Sequence, residues 1–227
     1  MMKRVLFGIV VLGFAGMTMN AFSQKNNSSV VKIIEPSNKS KFDVTSQVHY
    51  RIKISDKEDG ESEYGEIATN EVFLEVRYLP DASKVSATAT ADPNGLATMK
   101  KSNCFNCHAF NGKLIAPSFY EITKRYPPTS SNIELLTKRI REGSGGLWGT
   151  ASMPSHAELT NQQAEEIVTW ILNNGEDPNL NYYLGIEGTF KVKKPDLIAQ
   201  KSAYVLSATY SDHGGLTSKD VIMVMVK

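Results

Sequence analysis

Near both ends of the chain apolar residues alternate one by one; in the middle they recur at three- and four-residue steps. Val48, Tyr50, Ile52 and Ile54 fall on one face of a stretch whose other face is His49, Arg51 and Lys53. That period of two predicts a strand with one buried side. Val72, Leu74, Val76 and Tyr78 repeat it, after an acidic turn at Asp56-Lys57-Glu58-Asp59-Gly60-Glu61. From about Thr90 to Pro178 the period changes. Asp92-Pro93 predicts a helix start, with proline at the first helical position. Ile133, Leu136 and Ile140 form a short stripe, and Ala164, Ile167, Val168 and Ile171 sit at i, i+3, i+4 and i+7 of an amphipathic helix. Thr160 and Gln163 make a capping box at its start, and Asn173-Asn174-Gly175 ends it, with Pro178 beyond. Strands return at Gly188 to Val192, Ala203 to Tyr210 and Asp220 to Val226, with a turn at Ser211-Asp212-His213-Gly214-Gly215.

Neither group of strands buries its apolar face easily alone. Together they number about seven, which is what an immunoglobulin-like β-sandwich needs. The expected fold class is therefore α + β and multidomain, with an all-α unit inserted between strands of such a sandwich. The expected divisions are a leader at 1–23, a first sandwich part at 30–89, the helical unit at 90–178 and a second sandwich part at 185–227.

Lys3 and Arg4, the apolar run Val5 to Met19 and Ala21-Phe22-Ser23 read as a secretory signal peptide. The run is too short for a good membrane span. A periplasmic or secreted chain is expected, not membrane-spanning after cleavage. The 25 Lys and Arg balance 24 Asp and Glu. No basic block points to nucleic acid.

The strongest chemistry lies at Cys104-Phe105-Asn106-Cys107-His108, a C-x-x-C-H pattern of the kind that attaches a c-type haem. In a helical turn, residues three and four apart share a face, so two thiols and an imidazole come together. The chain has only these two cysteines. A thioredoxin-like site expects a βαβ context that the flanks do not offer. Zinc needs two further close ligands, and His49, His156 and His213 are scattered.

With these residues in view, 90–178 resembles a class I cytochrome c. Leu114-Ile115-Ala116-Pro117-Ser118-Phe119-Tyr120 is similar to the family's proximal stretch, though Ala116 stands where glycine is usual. Gly143-Ser144-Gly145-Gly146-Leu147-Trp148-Gly149-Thr150-Ala151-Ser152-Met153-Pro154 is similar to its distal loop. The resemblance implies one covalent haem c tethered by Cys104 and Cys107. His108 and Met153 would be the iron ligands, Pro117 would orient the histidine through its carbonyl, and Trp148 would pack on the haem edge. His156 is the competing distal ligand; Met99, Met223 and Met225 read as packing residues. Gly95 would allow the first and last helices to cross closely.

Tyr204 to Thr217 and Val31 to Gly60 resemble the closing and opening strands of PKD and other bacterial Ig-like domains. The acidic turn reads as solvated, with Ca²⁺ as the sharper alternative. The implied activity is periplasmic electron transfer, with no catalytic residues. The partner would be a redox protein such as a quinoprotein-type dehydrogenase or a terminal oxidase. The alternatives are a carbohydrate- or protein-binding module with an accessory haem, and a haem sensor with a labile Met153. 

Overall fold

The computed structural model describes residues 26–84, 91–192 and 202–227. The expected leader lies outside them. Strands β1 (Val30–Glu35), β2 (Lys41–Phe42), β3 (Gln47–Asp56), β4 (Gly60–Glu61) and β5 (Val72–Leu79) come first. Helices α1 (Asn94–Lys101), α2 (Phe119–Arg125), α3 (Ser130–Glu142) and α4 (Asn161–Asn174) follow. Strands β6 (Leu180–Leu184), β7 (Glu187–Lys191), β8 (Ala203–Ser211) and β9 (Thr217–Val226) close the described chain.

The strands on either side of the helices share two sheets. In the first, β3 lies between β1 and β7, with His49 opposite Thr189, and continues into β4. The second runs β2-β9-β8-β5-β6, with Leu74 of β5 opposite Ala208 on one side and Tyr183 on the other. The inward residues of both sheets make one core: Val48, Tyr50, Ile52 and Ile54 from β3 meet Leu74, Val76, Leu206 and Tyr210. The helices are thus joined to β5 at one end and to β6, its hydrogen-bonded neighbour, at the other. Strand β6 occupies the stretch between 178 and 185, where the sequence pattern predicts no element. Its Leu180 and Tyr182 face the helical unit, while Tyr183 packs against the core between the sheets.

Phe73 alternates to the outer face of β5 and joins Phe105, Phe110, Phe119, Trp170 and Tyr182 in a second apolar cluster. The helical unit rests on the sheet through these aromatics. Helices α1 and α4 cross at Gly95, where a Cβ would overlap the backbone carbonyl of Glu166. Gly175 ends α4 at φ −62°, outside the left-handed region. It is needed for closeness instead, because a Cβ there would strike the Thr123 hydroxyl and the Phe119 carbonyl. Thr160 and Gln163 form the expected capping box. Asp92 caps nothing: Pro93 holds the N-cap position of α1, and the Asp92 carboxylate instead accepts a 2.6 Å bond from Lys100.

Candidate cofactor site

Helix α1 stops before the cysteines. Asn103 takes a left-handed conformation (φ 57°) and turns the chain into a short 3-10 turn over Cys104–Asn106. The Cys104 carbonyl then accepts from the amides of both Cys107 (3.3 Å) and His108 (3.0 Å). This tight winding sets Cys104, Cys107 and His108 on the wall of one cavity of about 330 Å³. Phe105, between the cysteines, is buried among the aromatics below. Both thiols are free. Burial pushes the Cys104 thiol up to about 11.

His108 Nδ1 lies 2.7 Å from the Pro117 carbonyl oxygen. A carbonyl only accepts, so Nδ1 carries the hydrogen and Nε2 keeps its lone pair. Burial lowers the ring's pKa, and the Pro117 bond opposes this only in part. The imidazole is therefore held neutral, as a metal ligand must be. It stacks on Phe119, with centroids 5.5 Å apart and planes 15° from parallel. The Pro117 carbonyl is fixed from both sides. Upstream, the amides of Ile115 and Ala116 bond the Cys107 carbonyl. Downstream, Ser118 and Glu121 form a capping box that starts α2.

Met153 lines the same cavity. Its loop is closed by a two-residue bridge: the Ser144 amide donates to the Met153 carbonyl (3.1 Å), and the Met153 amide donates to Ser144 (2.7 Å). Gly143, at φ 83°, permits the turn that begins it, and a Cβ there would press on the Met153 carbonyl. Trp148 also lines the cavity. The Arg125 guanidinium lies 4.7 Å from its ring centroid and bonds the Leu147 carbonyl. Pro117 and His156 complete the set of expected residues at this cavity. Met99 is fully buried in the aromatic cluster. Met223 and Met225 lie far off on β9.

His49 pairs with Glu35 on an exposed strand face, and His213 sits in the β8–β9 turn. The carboxylates of the acidic turn are taken up by protein donors. Asp56 accepts from Ser29 and from the amides of Glu58 and Asp59, while Asp59 accepts from Tyr210 and His213. Among the described residues no group of three or more His, Cys, Asp or Glu is arranged to hold a metal ion.

The sequence alone assigns no role to Phe119 or Arg125. Phe119 lies within the proximal stretch, so its stacking had a local signal. Arg125 over Trp148 had none, since the two meet only through the fold.

A cytochrome c family profile matches residues 93–175. Cytochrome c-552 of Nitrosomonas europaea is 30% identical over 95 residues, covering 42% of this chain and 89% of that protein. Cytochrome c-551 of Azotobacter vinelandii is 32% identical over 75 residues, covering 33% of this chain and 90% of that one. A crystal structure of wild-type Nitrosomonas europaea cytochrome c552 shares 29% identity, covers 34% of this chain and 96% of that chain, and has a TM-score of 0.33. The chain belongs to the cytochrome c family. Its cofactor is covalently attached haem c, and its class is that of electron carriers, not enzymes.

Proposed function

We propose that Cys104 and Cys107 tether one haem c, that His108 Nε2 and the Met153 thioether are its axial ligands, and that the chain carries electrons in the periplasm. The observation that carries the ligand assignment is the His108–Pro117 bond, which leaves Nε2 as the free donor on the wall of the Met153 cavity. The residues present fit the group: two free thiols, a neutral imidazole and a thioether line one apolar cavity. When bound, the haem supplies a one-electron Fe(III)/Fe(II) couple, whose potential methionine ligation raises. Pro117 fixes the tautomer and orientation of His108. Trp148, with Arg125 stacked on it, closes the cavity edge. With His108 and Met153 both bound to it, the iron would have no position left for substrate.

The two shared sheets support an immunoglobulin-like sandwich of the PKD kind, with the cytochrome unit inserted between β5 and β6. Such a scaffold places the haem beside a docking surface. By analogy with cytochrome units attached to β-domains, the electron donor is a periplasmic dehydrogenase of the quinoprotein type. Among the described residues no helix is long and apolar enough to cross a membrane.

The test is mass spectrometry of the denatured chain produced with a haem-attachment system. The wild type is expected to carry the mass of one haem. Cys104→Ala with Cys107→Ala is expected to carry none; a double variant that retained covalent haem would refute the attachment.

A further inference from the structure

His156 shares with His108 the preparation of a metal-ligating histidine. Its ring lines the same cavity as Met153. Its Nδ1 lies 2.9 Å from the Glu158 carboxylate. An ionised carboxylate only accepts, so Nδ1 carries the hydrogen, and Nε2 is the ring nitrogen left to reach a metal. Ligating histidines are held in this way, with the second ring nitrogen donating to a carboxylate or carbonyl. The Pro117 carbonyl holds His108 and the Glu158 carboxylate holds His156. Backbone bonds set the position of His156 as well: its amide donates to the Ile140 carbonyl of α3 (2.9 Å), and its carbonyl accepts from Leu159 (3.1 Å). Met153, three residues earlier, hangs from a loop containing Gly145, Gly146 and Gly149, closed by its bridge to Ser144.

We propose that His156 is a reserve axial ligand that takes the sixth iron position when the Met153 thioether leaves it. The exchange is one of ligands only: the iron–sulfur bond would break, an iron–nitrogen bond would form from the Nε2 lone pair, any proton on Nε2 would pass to solvent, and no electron moves. It gives the site a second closed state. Two imidazole ligands set a lower potential than one imidazole and one thioether, so the His156 state is the weaker electron acceptor. This inference rests on His108 and Met153 being the resting ligands.

The experiment uses the full holo-protein and reads the absorption and electron paramagnetic resonance spectra of its oxidised form. Met153→Ala is expected to lose the weak far-red thioether–iron band yet remain low-spin, with a bis-imidazole resonance signature and a potential below that of the wild type. Adding His156→Ala is expected to convert the iron to high-spin. Met153→Leu, which keeps the side-chain volume, repeats the comparison should the alanine variant fail to fold. A high-spin iron in the Met153 variants with His156 intact would overturn the proposal. A wild type without the far-red band would instead overturn the resting ligand assignment, and the exchange with it.

Discussion

Phe105, lying between the two cysteines of the attachment motif, packs edge to face on Phe73 of β5, with ring centroids 5.3 Å apart. It meets Phe119 in the same way at 5.3 Å, and Phe119 stacks on His108. A run of rings therefore leads from His108, the proposed ligand, to the outer face of the sheet. The position between the cysteines, which the attachment chemistry leaves unspecified, is here the anchor of the haem unit on its scaffold.

Phe105→Ala should remove this anchor and leave a cavity. Truncating a buried phenylalanine costs about 3–5 kcal/mol. Guanidinium unfolding of the holo-protein, followed by haem absorbance and by tyrosine fluorescence, should show both signals shifting to lower denaturant. A shift in the haem signal alone would mean that the unit and the sheets do not support one another.

A polar contact reinforces the same interface. Lys100 of α1, with its side chain 9% exposed, bonds Asp92 at 2.6 Å and Thr209 of β8 at 3.0 Å, over the faces of Phe73 and Tyr182. Burial lowers its pKa, and Asp92 counters that effect. Asp92→Ala should leave a buried charge uncompensated, at a cost of about 3 kcal/mol. Replacing Lys100 with Met in the same chain should recover most of the loss. Thermal unfolding of the two variants checks this; equal losses would show that the pair is not coupled.

The interface also shows what a sequence can reveal. The strands β3 and β5, helix α4 and the haem motif were legible because each depends on neighbours a few residues away: alternation for Val48 to Ile54, the capping box for Thr160, the spacing of Cys104, Cys107 and His108. Strand β6 was not, because Asn-rich, turn-like residues precede Leu180 and its five residues show too little alternation. Its strand state comes from pairing with β5. Asp92 looked like a cap because Asp-Pro is a common helix start, but a buried lysine eight residues on claimed its carboxylate. Gly175 looked like a turn residue, and packing against α2 is the reason for it. In each case a contact outside the local pattern decided the outcome.

Gly95→Ala tests the helix crossing on which the helical unit is built. Its methyl would overlap the Glu166 carbonyl, which belongs to backbone and cannot swing aside. Forcing α1 and α4 apart should cost about 1–3 kcal/mol. Ala97→Ser, elsewhere on α1, serves as the comparison in denaturant unfolding. A Gly95→Ala chain as stable as that control would show that the crossing is looser than described.

His213 ties the β8–β9 turn to the acidic turn. Its ring lies 3.0 Å from Asp59 and 3.3 Å from Glu71. Hydrogen bonds to these carboxylates raise its pKa above the ordinary value. With the folded pKa above the unfolded one, the added stability is complete below the unfolded pKa and is lost as pH rises through the folded one. The ring is largely exposed, so screening limits the effect to about 0.5 kcal/mol. Unfolding midpoints across this pH window should fall slightly in the wild type and less in His213→Ala; parallel curves would remove His213 from the pH response.

The pairing of His108 with Met153 across one haem is tested most directly by the absorption spectrum of the purified, oxidised holo-protein. The expected spectrum is low-spin and carries the weak far-red charge-transfer band of a thioether bound to iron(III). A high-spin spectrum, or a low-spin one without that band, would contradict it.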